Sequence, residues 1–96
     1  MNNQIKRVKK RILGILESHG VAKAALFGSI VRGEMTNESD IDLLIEFAGR
    51  KSLLDLVGLK LDLQERLGKK VDVLTYKSIH PLLRDKILSE QEIILQ

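Results

Sequence analysis

Asp40, Asp42, Asp72 and the pair Gly28-Ser29 carry most of the chemistry this chain offers. Asp40 and Asp42 stand two residues apart, and on an extended chain that spacing sends both side chains from one face, with Cα atoms about 6 to 7 Å apart. Two carboxylates so placed can share a cation. Asp72 joins them if its strand lies alongside, giving three hard oxygen donors suited to one or two Mg2+ ions. Without a counter-charge the cluster is costly, since two unit charges 4 Å apart repel by about 4 kcal/mol at an effective dielectric of 20. Divalent cations reverse that balance and keep the carboxylates ionised at neutral pH. Gly28-Ser29 supplies the complement, a seat for phosphate. Glycine lets backbone approach closely, and Ser29 opens a turn whose free N–H groups attract anions. Arg32 lies three residues further along the same face of that turn and offers a cationic contact. Two ions about 3.5 to 4 Å apart, one at the nucleophile and one at departing pyrophosphate, suit in-line attack on the α-phosphorus of a nucleoside triphosphate. The chemistry indicated is nucleotidyl transfer.

The elements that must position these groups are legible from periodicity. Ile5, Val8, Ile12, Ile15 and Leu16 recur at helical spacing and predict a first helix ending near His19-Gly20. Val21 to Phe27 is a short apolar run between Gly20 and Gly28 and reads as a buried strand. Ile30 to Glu34 makes one helical turn, and Met35 to Ser39 is a polar loop. Ile41, Leu43, Ile45 and Phe47 alternate with Asp42, Leu44 and Glu46, the period of a second strand with one apolar face. Ser52 and Asp55 form a capping-box pattern opening a long helix that Gly68 ends after Leu67. Its leucines and Val57 spread over about 200° of the helix, wider than one core contact uses, so part of that surface is available to another chain or a second copy. Val71, Val73 and Tyr76 flank Asp72 and Leu74 in a third strand. Pro81 sits at N1 of a last helix through Leu88, with Ile93 to Leu95 as an edge strand. The order predicts an α/β (α+β) fold, a small mixed sheet of three to four strands backed by helices.

Composition sets the outer bounds. Ninety-six residues, 44% hydrophobic and 30% charged, suit one domain over residues 1–96. The longest uncharged stretch, Ala24 to Val31, is far below the roughly 20 residues of a membrane span. No secretory signal pattern opens the chain, and there is no cysteine, which fits a reducing cytoplasm. The formal charge is +3, yet Lys6, Arg7, Lys9, Lys10 and Arg11 supply five positive charges, so the remainder is two charges negative. With Phe27, Phe47 and Tyr76 as the only aromatics, none within the basic run, there is no stacking platform for bases, and nucleic acid is not the expected partner. His19 at a helix exit and His80 at a helix entry read as capping residues rather than ligands.

The run Gly28-Ser29-Ile30-Val31-Arg32-Gly33-Glu34, followed by Ser39-Asp40-Ile41-Asp42-Leu43-Leu44-Ile45-Glu46-Phe47, closely resembles the G-S-x10-D-x-D signature of the polymerase-beta-like nucleotidyltransferases, with ten residues between Ser29 and Asp40. It is most similar to their minimal nucleotidyltransferase (MNT) branch, although Ile30, Val31 and Met35 stand where small residues are common. The resemblance implies a polymerase-beta-like core in which Asp40 and Asp42 bind both metal ions. Asp72, in Lys70-Val71-Asp72-Val73-Leu74, would complete one ion's site and help deprotonate the acceptor, and Gly28-Ser29 would hold triphosphate. In that branch the MNT protein is commonly an antitoxin whose partner is a HEPN-domain ribonuclease, silenced when AMP from ATP is attached to a toxin tyrosine. The resemblance therefore implies Mg2+, ATP and a HEPN toxin. A chain this short has no room for an acceptor domain, so another protein must present the nucleophile. The contrasting function class is a binding module that neutralises its partner by stoichiometric contact, without catalysis. Three converging carboxylates favour the enzyme, because a contact protein has no physical need to gather them.

Overall fold

Asn2 accepts a hydrogen bond from the Ile5 N–H and opens α1 (Asn3–Ser18), which buries Ile5, Val8, Ile12 and Leu16 and stops at His19 before Gly20 turns left-handed. β1 (Val21–Phe27) follows directly, and a single helical turn, α2 (Ser29–Arg32), closes on the left-handed Gly33. β2 (Ile41–Phe47) leads to α3 (Leu53–Leu67), whose N-terminus carries the full Ser52–Asp55 capping box and whose end is the left-handed Gly68. β3 (Val71–Thr75) runs into a 3-10 turn over Tyr76–Ser78, then α4 (Pro81–Glu90) and β4 (Glu92–Leu95) complete the chain. This is a computed structural model, and it describes residues 2–96.

The four strands form one mixed sheet in the order β3-β2-β1-β4. β1 is antiparallel to β2 and to β4, whereas β2 and β3 are parallel, joined by α3 as a crossover. One face of the sheet packs Leu26, Ile41, Leu43, Ile45 and Val71 against α1 and against Leu59 and Leu63 of α3, making the main core. The other face carries a smaller apolar cluster of Ala25, Phe27, Leu44 and Ile79, backed by Ile87 and Leu88 of α4.

The expected elements all form, with differences of detail. The helical turn expected over Ile30 to Glu34 runs over Ser29–Arg32, because the left-handed Gly33 ends it. Leu44 points to the α4 face and is fully buried there, so β2 is apolar on both faces in its middle instead of on one. Tyr76 lies past the end of β3, where its hydroxyl donates to Gln91 Oε1 at 2.7 Å and Lys23 sits over its ring. The last helix runs two residues beyond Leu88, to Glu90. No helix among the described residues is long and apolar enough to cross a membrane.

Candidate active site

Antiparallel pairing brings the end of β1 to the start of β2, and parallel pairing brings the start of β3 beside it. Phe27 is thus the cross-strand partner of Asp42, and Asp42 is the partner of Asp72. Neighbouring strands lie about 4.8 Å apart, and paired residues point to the same face, so Asp42 and Asp72 stand side by side on the α4 face. Asp40, two residues before Asp42, is tied to the same end: the N–H of the intervening Ile41 donates to the carbonyl of Lys70, and Lys70 Nζ lies 3.7 Å from Asp40 Oδ2. The main core takes Ile41, Leu43 and Val71, so the alternation that buries those residues is what aims the aspartates the other way.

Gly28 completes the arrangement from β1. Its backbone, at φ +79° and ψ −149°, lies in a region open in practice only to glycine. A Cβ there would fall 2.2 Å from Asp42 Oδ2, closer than any non-bonded contact permits. Glycine is therefore required twice over, for the turn and for the approach of backbone to carboxylate. Ser29 then begins α2, and Ile30 anchors that turn in the core.

The charges on this face are not independent. Burial raises the proton affinity of Asp42 above that of an ordinary aspartate, the negative charges of Asp72 and Asp40 raise it further, and Arg32 opposes them. Arg32 itself is engaged. Its Nε donates to Glu34 Oε2 at 3.2 Å and its Nη1 to Glu90 Oε1 at 2.9 Å, so the local ion pair with Glu34 stands beside a second, long-range one. Glu90 was not evident from sequence. It reaches Gly28 and Arg32 from the end of α4, and Oε1 also accepts from the Gly28 N–H at 2.7 Å. No local motif marks it, because the contact spans 62 residues. The two histidines sit where the sequence suggested, away from this face: His19 pairs with Asp62 at 2.7 Å, and His80 caps α4 by accepting from the Leu82 N–H.

The donor set suits a hard divalent ion, being carboxylate throughout, and a cation there would relieve the repulsion felt by Asp42. Among the described residues no group of three or more His, Cys, Asp or Glu side chains is drawn together tightly enough to cage an ion unaided. The three carboxylates are half-buried at this end of the sheet. The larger clefts lie elsewhere, one of about 450 Å³ between Phe47, Arg50 and Tyr76 at the opposite end of β2 and β3.

A model of the nucleotidyltransferase domain matches residues 8–94. The chain belongs to the nucleotidyltransferase domain family. A relative from Methanocaldococcus jannaschii that bears the name of a protein adenylyltransferase is 59% identical over 86 residues, covering 90% of this chain and 92% of its own. A solved structure described as a minimal nucleotidyltransferase aligns with a TM-score of 0.79 at 35% identity, over 93% of this chain and 91% of that one. A chain from a complex of tri-AMPylated Shewanella oneidensis HEPN toxin with MNT antitoxin shares the fold at a TM-score of 0.72 and 19% identity, over 93% of this chain and 70% of that one. The nucleotidyltransferase assignment thus rests on most of the chain's length, and the acidic face lies where the signature residues of the sequence fall.

Proposed function

We propose that this nucleotidyltransferase transfers AMP from ATP to a hydroxyl of a HEPN-domain toxin and acts as its antitoxin. The observation that carries the reading is the register pair Asp42 and Asp72 abutting a glycine that no other residue can replace. The reading is supported by the protein adenylyltransferase named among its relatives and by the AMPylated toxin complex in which the same fold occurs.

In this reading Gly28, Ser29 and Arg32 would receive the triphosphate, and Asp40, Asp42 and Asp72 would hold Mg2+, Asp40 and Asp42 serving both ions and Asp72 one. Magnesium, when bound, polarises the phosphoryl oxygens and neutralises charge on the departing pyrophosphate. The acceptor oxygen forms a bond to the α-phosphorus as the bond from that phosphorus to the bridging oxygen breaks. The hydroxyl proton passes to a carboxylate of the acidic face, the role this reading gives to Asp72, and pyrophosphate leaves. Transfer to a separate chain requires that a side chain of another protein reach this face, where Arg32 and Asp40 are 42% and 39% exposed.

Incubation with ATP, Mg2+ and a HEPN-domain protein from the same genome, followed by mass spectrometry, tests this directly. An AMP adduct on the HEPN protein is expected, and its absence with Asp42→Asn. If Asp42→Asn still neutralises the toxin fully in cells, contact rather than chemistry is the mechanism.

A further inference from the structure

One oxygen of Glu90 holds two donors at once, the Gly28 N–H at 2.7 Å and Arg32 Nη1 at 2.9 Å. A backbone amide and a guanidinium converging on one anionic oxygen form the donor pair that a phosphate oxygen takes. The Glu90 side chain is 16% exposed and that of Arg32 42%, so the pair is covered on its Glu90 side and open on its Arg32 side. Charge does not favour the placement. Glu90 brings a fourth carboxylate to a face that already carries three, and its charge adds to those that raise the proton affinity of Asp42. What compensates is the anion-accepting geometry of Gly28 and Arg32.

We propose that Glu90 is an internal stand-in for the nucleotide, its carboxylate occupying the phosphate seat and having to swing out before a triphosphate can bind. The inference rests on the functional reading above, which assigns the same two groups to the triphosphate. A single N–H cannot serve two acceptors at full strength, so Glu90 and a phosphate oxygen compete for the Gly28 amide. The apparent affinity for nucleotide is then the intrinsic affinity reduced by the fraction of molecules whose seat is open. If the seat is closed in about nine molecules of ten, removing the carboxylate tightens binding about tenfold. Glu90 is also the last residue of α4 and lies two residues before the strand that pairs with β1. Displacement of its side chain therefore acts on the junction of α4 and β4, and by reciprocity a partner that draws that junction away tightens nucleotide binding.

Calorimetric titration with Mg2+ and the non-hydrolysable analogue AMP-PNP, and separately with inorganic tripolyphosphate, tests the proposal without depending on turnover. Glu90→Gln and Glu90→Ala are expected to bind both probes about three- to tenfold more tightly than the unaltered protein. Glu90→Gln keeps an acceptor for Gly28 and so preserves the fold. Glu92→Gln, which removes the same charge from the adjoining strand, is expected to stay within about twofold, separating occlusion from general electrostatics. Equal or weaker binding by both Glu90 variants, with the unaltered protein binding normally, overturns the proposal and makes Glu90 a support for Arg32. Failure of the unaltered protein and all variants to bind either probe overturns the functional reading, and the proposal with it.

Discussion

Ionising Asp42 in the folded chain carries a cost, because burial and two neighbouring carboxylates favour its protonated form. Its folded proton affinity is raised above the ordinary value of 3.8, so between the two values the native state binds more protons than the unfolded one. The contribution of Asp42 to stability is then greatest below that ordinary value and is lost as pH rises through the folded one. Asp42→Asn should accordingly raise the melting temperature at neutral pH, the gain fading as pH is lowered through the carboxylate range, while transfer is lost; melts across that range read the first effect and adduct formation the second. Gly28→Ala should have the opposite character, costing about 1 to 3 kcal/mol in urea unfolding from backbone strain alone. Pairing it with Asp42→Ala should return only the steric share, since the Cβ then meets no carboxylate while the positive φ persists. Gly28, Ser29, Asp40, Asp42 and Asp72 could be picked out as candidates because each lies in a short local pattern. Glu90 could not, because nothing near it in sequence differs from an ordinary acidic residue at a helix end.

At the scale of elements, the boundaries of β1, β2 and α3 were readable because glycines and a capping box punctuate them. Ser52→Ala removes the side-chain half of that box and should cost about 1 kcal/mol, measured by thermal or chemical denaturation. Leu59→Ala, at a fully buried position beneath α3, should cost about 2 to 5 kcal/mol. The pairing of strands was not legible. Nothing local states that β2 is antiparallel to one neighbour and parallel to the other, because direction is decided by which layer the connecting helix packs on. The same reason explains Leu44. A period-two pattern shows which residues share a face, but only α4, whose own apolar signal is weak, decides that the second face is buried in its middle and open at its acidic end.

For the molecule as a whole, binding of a ligand to the folded state alone raises stability by mass action, about 2.7 kcal/mol at one hundred times its dissociation constant. AMP-PNP with Mg2+ should therefore raise the melting temperature, and chelation with EDTA should abolish the shift if the three aspartates act through a cation. Lys6 and Lys10 are exposed on α1, and exchanging them for Gln should leave stability within about 0.5 kcal/mol per change. Leu53 and Leu54, 75% and 80% exposed, and Leu82, 87% exposed, leave apolar side chains on α3 and α4 without partners in this chain, as the spread of leucines around the third helix predicted. The crossover from β2 to β3 has a separate consequence. Because α3 returns on the main-core face of the sheet, the polypeptide joining the two acid-bearing strands never crosses the face that carries the carboxylates.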